Sequence, residues 1–328
     1  MTDPRRRVAL GRTSLEVTQL GLGCAPLAGL FEPVSGDAAR AVVDRAWDEG
    51  VRTFDTAPLY GSGLSERRVG AALRERPRDE FVLSTKVGRL LQAGGEPDHL
   101  FPQGERAAAV FDFSADAIAR SLEQSLERLG LDRIDIALIH DPDEHLDEAI
   151  SVSYPVLERM RAEGTIGAVG FGMNHPGPLA RVVAETDVDC VLLAGRYTLL
   201  DTAALEALLP ACERRAVSVI AGGVLNSGVL AGPGGRSTFD YAPASSSVVE
   251  RVRRMAAICD AFDVPLAAAA LQFPLAHPAV AAIVVGCRSA DELSLDARLL
   301  DRSIPQELWA ELVRAGLLAE DAPVPAAR

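Results

Sequence analysis

Eight times along this chain a short apolar run gives way to a stretch with helical spacing, and no other feature constrains the fold as strongly. The runs are GLGCAP at 21–26, then 51–55, 81–86, 134–140, 165–173, 190–194, 218–221 and 281–285. They are continuous rather than alternating in polarity. Parallel strands covered on both faces read this way, because neither face meets water. Helices are expected at 37–49, 65–74, 114–129, 147–162, 176–184, 203–215, 248–262 with a further piece at 266–275, and 291–299. Gly50, Gly130 and Gly164 stop three of them. Ser65 is the expected N-cap of the second. Residues 5–20 read as a β-hairpin ahead of the first strand, and a last helix is expected at 306–315. Eight βα units predict an α/β fold, a (β/α)8 TIM barrel forming one domain over residues 1–328. Its active site would lie at the C-terminal strand ends. An open doubly wound sheet would want a G-x-G-x-x-G turn after strand one, and Gly21-Leu22-Gly23-Cys24-Ala25-Pro26 breaks that pattern. Two long loops, 88–113 after strand three and 222–247 after strand seven, are expected to act as lids or binding loops.

Composition excludes several function classes. The formal net charge of −13 argues against nucleic acid and anionic membrane surfaces as partners. The basic start MTDPRRRVALG has no apolar segment after it, so it does not read as a secretory signal. No apolar run reaches the roughly 18 residues of a membrane span. The five cysteines are widely spaced and include no C-x-x-C pair, the pattern of reduced thiols in a cytoplasmic protein. A small molecule is the expected partner, and a homo-oligomer is compatible with the sequence.

Chemistry concentrates in Thr53–Tyr60, TFDTAPLY. A strand runs out at Asp55, Pro58 forces a turn, and Tyr60 follows. A carboxylate and a phenol so placed need a cation between them. The chain has thirty-two arginines and a single lysine, Lys86, which ends the next strand. His140 ends the strand after that. In a barrel the tips of Asp55, Lys86, His140 and Tyr60 would converge. An ammonium close to a phenol lowers its pKa by ~1–3 units, whereas burial raises it, so the cation must outweigh desolvation. Asp55 would hold Lys86 charged, Lys86 would tune Tyr60, and His140 would orient a substrate oxygen. Such a set moves a proton from an alcohol. The hydride needs an acceptor that no side chain supplies, so a nicotinamide cofactor is implied.

These residues sit in motifs that match a family. FDTAPLYGSGLSERRVG at 54–70, VLSTKVG at 82–88, IALIHDPD at 136–143, VGFGMNHP at 169–176 and IVVGCRSADEL at 283–293 resemble the aldo-keto reductases. The resemblance spans nearly the whole chain. It implies the barrel, an NAD(P) cofactor and the catalytic set Asp55, Tyr60, Lys86 and His140. RPRDEFVLSTKVGRLL, LLAGRYTLLD and AGGVLNSGVLAG resemble the bacterial branch of L-fucose, D-threo-aldose and galactose dehydrogenases and the related pyridoxal 4-dehydrogenases. The resemblance implies oxidation of an aldose at C1 to a lactone. Pyridoxal or a general aldehyde or ketone is the alternative substrate. A cofactor-binding sensor subunit without turnover is the alternative of another class.

Three departures touch the nicotinamide. Met173 replaces the family's serine, Ala194 its glutamine and Gly222 its stacking aromatic, which leaves Asn174 to hold the carboxamide. The loop 222–228 is suited to close backbone contact with the pyrophosphate. Cofactor contacts implied by the resemblance are Gly23, Cys24, Asp55, Asn174, Gly222, Leu225, Ser227, Gly228, Gly286, Arg288, Ser289, Glu292 and Asp296. Family members that prefer NADP carry cations near Gly286 and Glu292. Glu292 could instead accept from a ribose 2′-hydroxyl and repel a 2′-phosphate, so NAD is expected over NADP. Ser289 to Glu292 also reads as a capping box at a helix start.

Phe111 is a candidate for the sugar pocket or for pinning its own loop. Arg196 is a candidate for sugar hydroxyls or an ion pair. His140 and His145 do not form a metal site, because Pro142 breaks any helix that would align them. His99, His145, His175 and His277 have no placement that favours function.

Overall fold

The computed structural model describes residues 3–96, 98–232 and 238–326. Eight strands form a closed parallel barrel. They are β1 (Leu20–Gly23), β2 (Thr53–Asp55), β3 (Val82–Val87), β4 (Ile134–His140), β5 (Ile166–Met173), β6 (Cys190–Ala194), β7 (Ser218–Gly222) and β8 (Val280–Val285). Each pairs with its neighbour in chain order, and β8 returns to β1. The expected (β/α)8 barrel is present.

The strands are apolar throughout because both faces are covered. Ile136, Leu138, Leu192, Ile220 and Val284 fill the barrel interior. Leu10 and Val17 plug its N-terminal end. They come from the expected hairpin, in which Arg7–Ala9 pairs with Glu16–Thr18. Between strands and helices lies a larger layer that includes Phe54, Leu83, Ile139, Phe171, Leu271 and Trp309. One end is therefore sealed, and the chemistry-bearing strand ends open at the other.

Local differences from the expected elements have identifiable causes. The second helix is Leu64–Leu73, capped by Gly63 at φ 91° rather than by Ser65. Ser65 is fully buried and donates to Cys24 O at 2.8 Å. It tethers the loop after β1 instead of capping. The expected helix 147–162 is interrupted by a wide turn at Ala149–Ser153 before Tyr154–Ala162 resumes. Pro155 lacks the N–H that a regular helix would use there. Pro210 similarly splits 203–215 into a short 3-10 turn, Ala203–Leu205, and the helix Leu208–Arg215. Both long loops carry strand pairs of their own. Arg89–Ala93 pairs with Ala107–Phe111, and Thr238–Phe239 pairs with Ala242–Pro243.

Among the described residues no single helix is long and apolar enough to cross a membrane. Ser246–Ala261 and Leu266–Ala276 pass that test only as a pair, and they bend by 100° at their junction. All five cysteines are buried and unpaired.

Gly70 shows how closely the outer helices pack. A Cβ there would lie 2.0 Å from the carbonyl oxygen of Leu129, at the end of Ala115–Leu129. Glycine inside a helix costs about 1 kcal/mol against alanine, so its presence reflects this approach. Gly70→Ala should therefore destabilise the fold by about 1–3 kcal/mol despite its better helix propensity. A lower urea midpoint with an unchanged slope would register it.

Candidate active site

β2, β3 and β4 carry Asp55, Lys86 and His140 at their C-terminal ends, and the turn after β2 delivers Tyr60. Lys86 is 1 % exposed. Its ammonium donates to both Asp55 oxygens at 2.7 and 2.9 Å and to Thr56 O at 2.9 Å. It lies 4.9 Å from the Tyr60 ring centroid, close enough for the ammonium and the phenol to feel each other's charge. Ser84 Oγ donates to Asp55 Oδ1 at 3.0 Å, fixing the carboxylate from the neighbouring strand. Phe101 stacks on the Tyr60 ring at 5.9 Å, and His140 meets it edge-on at 6.2 Å.

Electrostatics set the resting protonation. Burial pulls the Lys86 ammonium toward neutrality, but Asp55 and then Tyr60 more than compensate, and its pKa stands above the ordinary value. Burial also raises the Tyr60 phenol, and here Lys86 offsets the effect only in part. The cation does not outweigh desolvation as the chemistry of an oxidising base requires, so Tyr60 rests as a neutral phenol. That form gives up a proton readily only when more positive charge is placed beside it.

His140 is held neutral. Burial lowers its pKa well below the usual value, and the Lys86 and Arg89 charges add to this. Its buried Nδ1 has no hydrogen-bond partner. An orphaned N–H is rarer in proteins than a bare acceptor, so we assign the proton to Nε2. Asp141 Oδ2 lies 3.5 Å from that atom, too far for a firm hydrogen bond.

A pocket beside this cluster is lined by Asn174, Ala194, Gly195, Gly223, Asn226, Ser227 and Tyr241. Asn226 Oδ1 is buried there without a partner. Successive residues Asn226, Ser227 and Gly228 have φ of 44°, 57° and 104°. This left-handed run turns the loop sharply after Leu225 and brings its backbone to the pocket wall. Gly222 has only ordinary van der Waals neighbours for a Cβ, so an aromatic ring is absent there without a steric reason. An orphaned amide oxygen, a second amide and a glycine-rich wall fit the carboxamide and ring of a nicotinamide.

The remaining cofactor candidates line the junction of β1 and β8. Gly286 abuts the Pro26 ring, where a Cβ would come within 2.7 Å. Gly23 faces the Val285 backbone. The Cys24 thiol is sealed and donates to Leu22 O at 3.5 Å, so only its backbone can serve a ligand. Ser289 caps Ala290–Asp301, accepting from Glu292 N at 3.2 Å. Glu292 reaches back to Arg288, accepting from its backbone N–H at 2.7 Å and its guanidinium at 3.1 Å. The other arm of Arg288 donates to Glu32 at 2.6 Å. Two carboxylates thus occupy this cation. Asp296 lies inward against the Cys287 thiol at 3.5 Å.

The structure gives the two substrate candidates other partners. Phe111 is 44 % exposed, stacks on Phe113 and lies under the Arg89 guanidinium at 4.3 Å. Arg196 forms a two-pronged pair with Asp240 at 2.7 and 2.9 Å, which holds the Thr238–Pro243 hairpin. His145 packs on Phe111 and Phe113, away from His140. Sequence reading passed over Phe101, Tyr241, Phe31, Arg89 and Asp141. Tyr241 tips the hairpin at φ 61° and reaches across the barrel mouth to within 6.0 Å of Phe31. Asp-Tyr in a two-residue hairpin turn gives no glycine signal, and Phe101 sits in a loop without periodicity. Asp141 alone had a signal, as the residue next to His140.

A barrel with a buried lysine–carboxylate–phenol cluster beside an amide-lined pocket has the groups that move a proton to or from a substrate oxygen. The Aldo/keto reductase family model matches residues 19–316, and the chain belongs to that family. It is an NAD(P)-dependent oxidoreductase. It is 43% identical over 320 residues to D-threo-aldose 1-dehydrogenase of a Pseudomonas species, covering 94% of this chain and 97% of that one. Pyridoxal 4-dehydrogenase of Microbacterium luteolum is 41% identical over 334 residues, with 95% and 97% covered. A Bacillus halodurans aldo-keto reductase solved in its holo form superposes with a TM-score of 0.76 at 26% identity, covering 98% of this chain and 99% of that one.

Burial first, then the Glu292 charge, pushes the Asp296 carboxyl up to about 7. An acid raised on folding adds stability at low pH that is lost as pH climbs toward the folded value. Asp296→Asn removes that loss. Its unfolding midpoint should exceed wild type at about pH 8 and by much less at about pH 4, as thermal denaturation at both pH values would test.

Proposed function

We propose that this enzyme oxidises an aldose of the L-fucose or D-threo type at C1 to the lactone, with NAD as the preferred hydride acceptor. The observation that carries this reading is the 43% identity, over nearly full length, to a protein named D-threo-aldose 1-dehydrogenase. Tyr60 is the general base in oxidation and the acid in reverse. Lys86 tunes it, Asp55 supports Lys86, and His140 Nε2 positions the reacting oxygen. Bound NAD supplies the hydride acceptor and a positive ring. The phenol that burial keeps neutral releases its proton to solvent before it accepts the proton of the substrate hydroxyl, and the Lys86 charge beside it favours that release. Asn174 and Asn226 hold the carboxamide, and Tyr241 closes the mouth above.

The NAD preference rests on Arg288. Glu32 and Glu292 neutralise its charge, so a 2′-phosphate would meet net negative charge there. A second substrate reading, pyridoxal oxidised at its aldehyde, draws on the 41% relative. A sensor without turnover is disfavoured by the complete Asp55–Lys86–Tyr60 cluster. Assay of L-fucose, D-arabinose, L-galactose and pyridoxal with NAD, followed by nicotinamide absorbance, separates these readings. Aldoses should lead, and a kcat/KM for pyridoxal above every aldose would overturn the choice.

Tyr60→Phe should lower kcat by about 10²–10⁴-fold while NADH affinity persists, read from kinetics and fluorescence titration. Because burial raises the phenol, oxidation should speed up as pH rises through the alkaline range, and reduction should slow. Lys86→Met removes the offsetting charge and should move both limbs to higher pH. Glu292→Arg should shift the NAD/NADP ratio of kcat/KM toward NADP by about tenfold, equivalent to about 1.4 kcal/mol.

A further inference from the structure

Beside His140 lies an ion pair that the proton chemistry does not use. Arg89 donates to Asp141 Oδ2 at 2.7 Å, with the side chains only 17 % and 24 % exposed. Asp141 follows His140 directly and sits at φ 43°, a left-handed backbone that a non-glycine residue adopts at a cost. Its N–H donates to Gly172 O at 3.0 Å, which pins that conformation to the end of β5. The turn directs the carboxylate to within 3.5 Å of His140 Nε2. Arg89 leaves β3 three residues after Lys86. Its guanidinium lies over the Phe111 ring at 4.3 Å, and its buried Nε has no partner.

Partly buried ion pairs are seldom kept for stability alone, since apolar replacements often serve as well. This one costs backbone strain and leaves a buried donor unmatched, one residue from the group that addresses the reacting oxygen. We propose that Asp141 and Arg89 form the recognition couple for the substrate hydroxyl next to the reacting carbon. This rests on the aldose reading above. Arg89 donates to Asp141 Oδ2, and His140 Nε2 lies 3.5 Å from the same oxygen. The other face of the carboxylate accepts from the hydroxyl's O–H. Arg89 donates to the oxygen of the same or the next hydroxyl. Phe111 serves by stacking under Arg89 rather than by touching sugar. Burial keeps the Asp141 carboxyl above its usual range against the pull of Arg89. It therefore takes up a polar partner more readily than a solvated carboxylate would.

The test pairs variants with substrates that differ at one carbon. D-arabinose and 2-deoxy-D-ribose share every centre except the C2 hydroxyl. Asp141→Asn keeps a residue that tolerates positive φ, and Asp141→Gly relaxes the strain altogether. With either variant, kcat/KM for D-arabinose should fall about 10–100-fold, the usual range for a charged hydrogen bond. For 2-deoxy-D-ribose the fall should be at least tenfold smaller, because the partner hydroxyl is already missing. Equal losses on both sugars, in both folded variants, would assign Asp141 a structural role and overturn the proposal. If the wild-type enzyme turns over neither these sugars nor L-fucose, the aldose reading fails and this assignment fails with it. Aldose turnover with no selective loss sinks the assignment alone.

Discussion

A buried ammonium organises this molecule. Burying a lone charge costs several kcal/mol, yet Lys86 sits at 1 % exposure. Two groups meet its donors at hydrogen-bond distance, the Asp55 carboxylate and the Thr56 carbonyl, and the Tyr60 ring lies 4.9 Å away. Each comes from β2 or the turn after it, and Lys86 comes from β3, so the β2–β3 register is what assembles the site. An arginine would not serve. Its guanidinium is planar and wider, and it could not place a compact charge between a carboxylate and a phenol. This explains a chain that writes arginine everywhere else. It also explains why Asp55 needs Ser84 from the neighbouring strand: a carboxylate free to swing would leave the ammonium unpaired.

The same low dielectric that strengthens the pair raises the phenol. Tyr60 is covered by Phe101, a residue of the first long loop, and the covering drives desolvation. The loop is held by local bonds: Phe31 N donates to Leu100 O at 2.9 Å, and Val34 N donates to Gln103 Oε1 at 2.7 Å. The second long loop reaches over from the opposite rim. Its hairpin is fastened by Asp240 to Arg196 and by Thr238 to Ser227 O at 2.5 Å. Covering the site from two sides desolvates Tyr60 and keeps the proton on its phenol.

Much of the barrel was legible because its strands obey a simple rule: they are apolar on both faces. Asp55, Lys86 and His140 were legible for the same reason, as polar residues closing apolar runs. What escaped was fixed by tertiary contacts. Ser65 looks like a cap, but the space beside Cys24 gives it another bond. The strand pairs inside the long loops are two to five residues long, and nothing in their local pattern separates them from irregular chain. Tyr241 occupies a turn position that usually asks for glycine or asparagine. The expectation for Tyr60 itself came out with the opposite sign, since sequence shows which charges are near but not how deeply they are buried.

That division bears on specificity. Proton and hydride chemistry depends on strand ends, whose geometry the barrel dictates. Substrate choice depends on what the loops and strand-end turns hold above them, and similar floors can serve different tops. Two relatives of nearly equal identity, one named for an aldose and one for pyridoxal, illustrate the point. A hydroxyl-rich substrate and an aromatic aldehyde ask for different rims. Hydroxyls want paired donors and acceptors held rigidly, while an aromatic ring wants flat apolar walls. This rim offers both, in Arg89 with Asp141 and in Phe31 with Tyr241. The charged pair is the costlier to hold without a matching ligand, because its strain and its unmatched donor are carried in every folded molecule. An apolar wall carries no such cost.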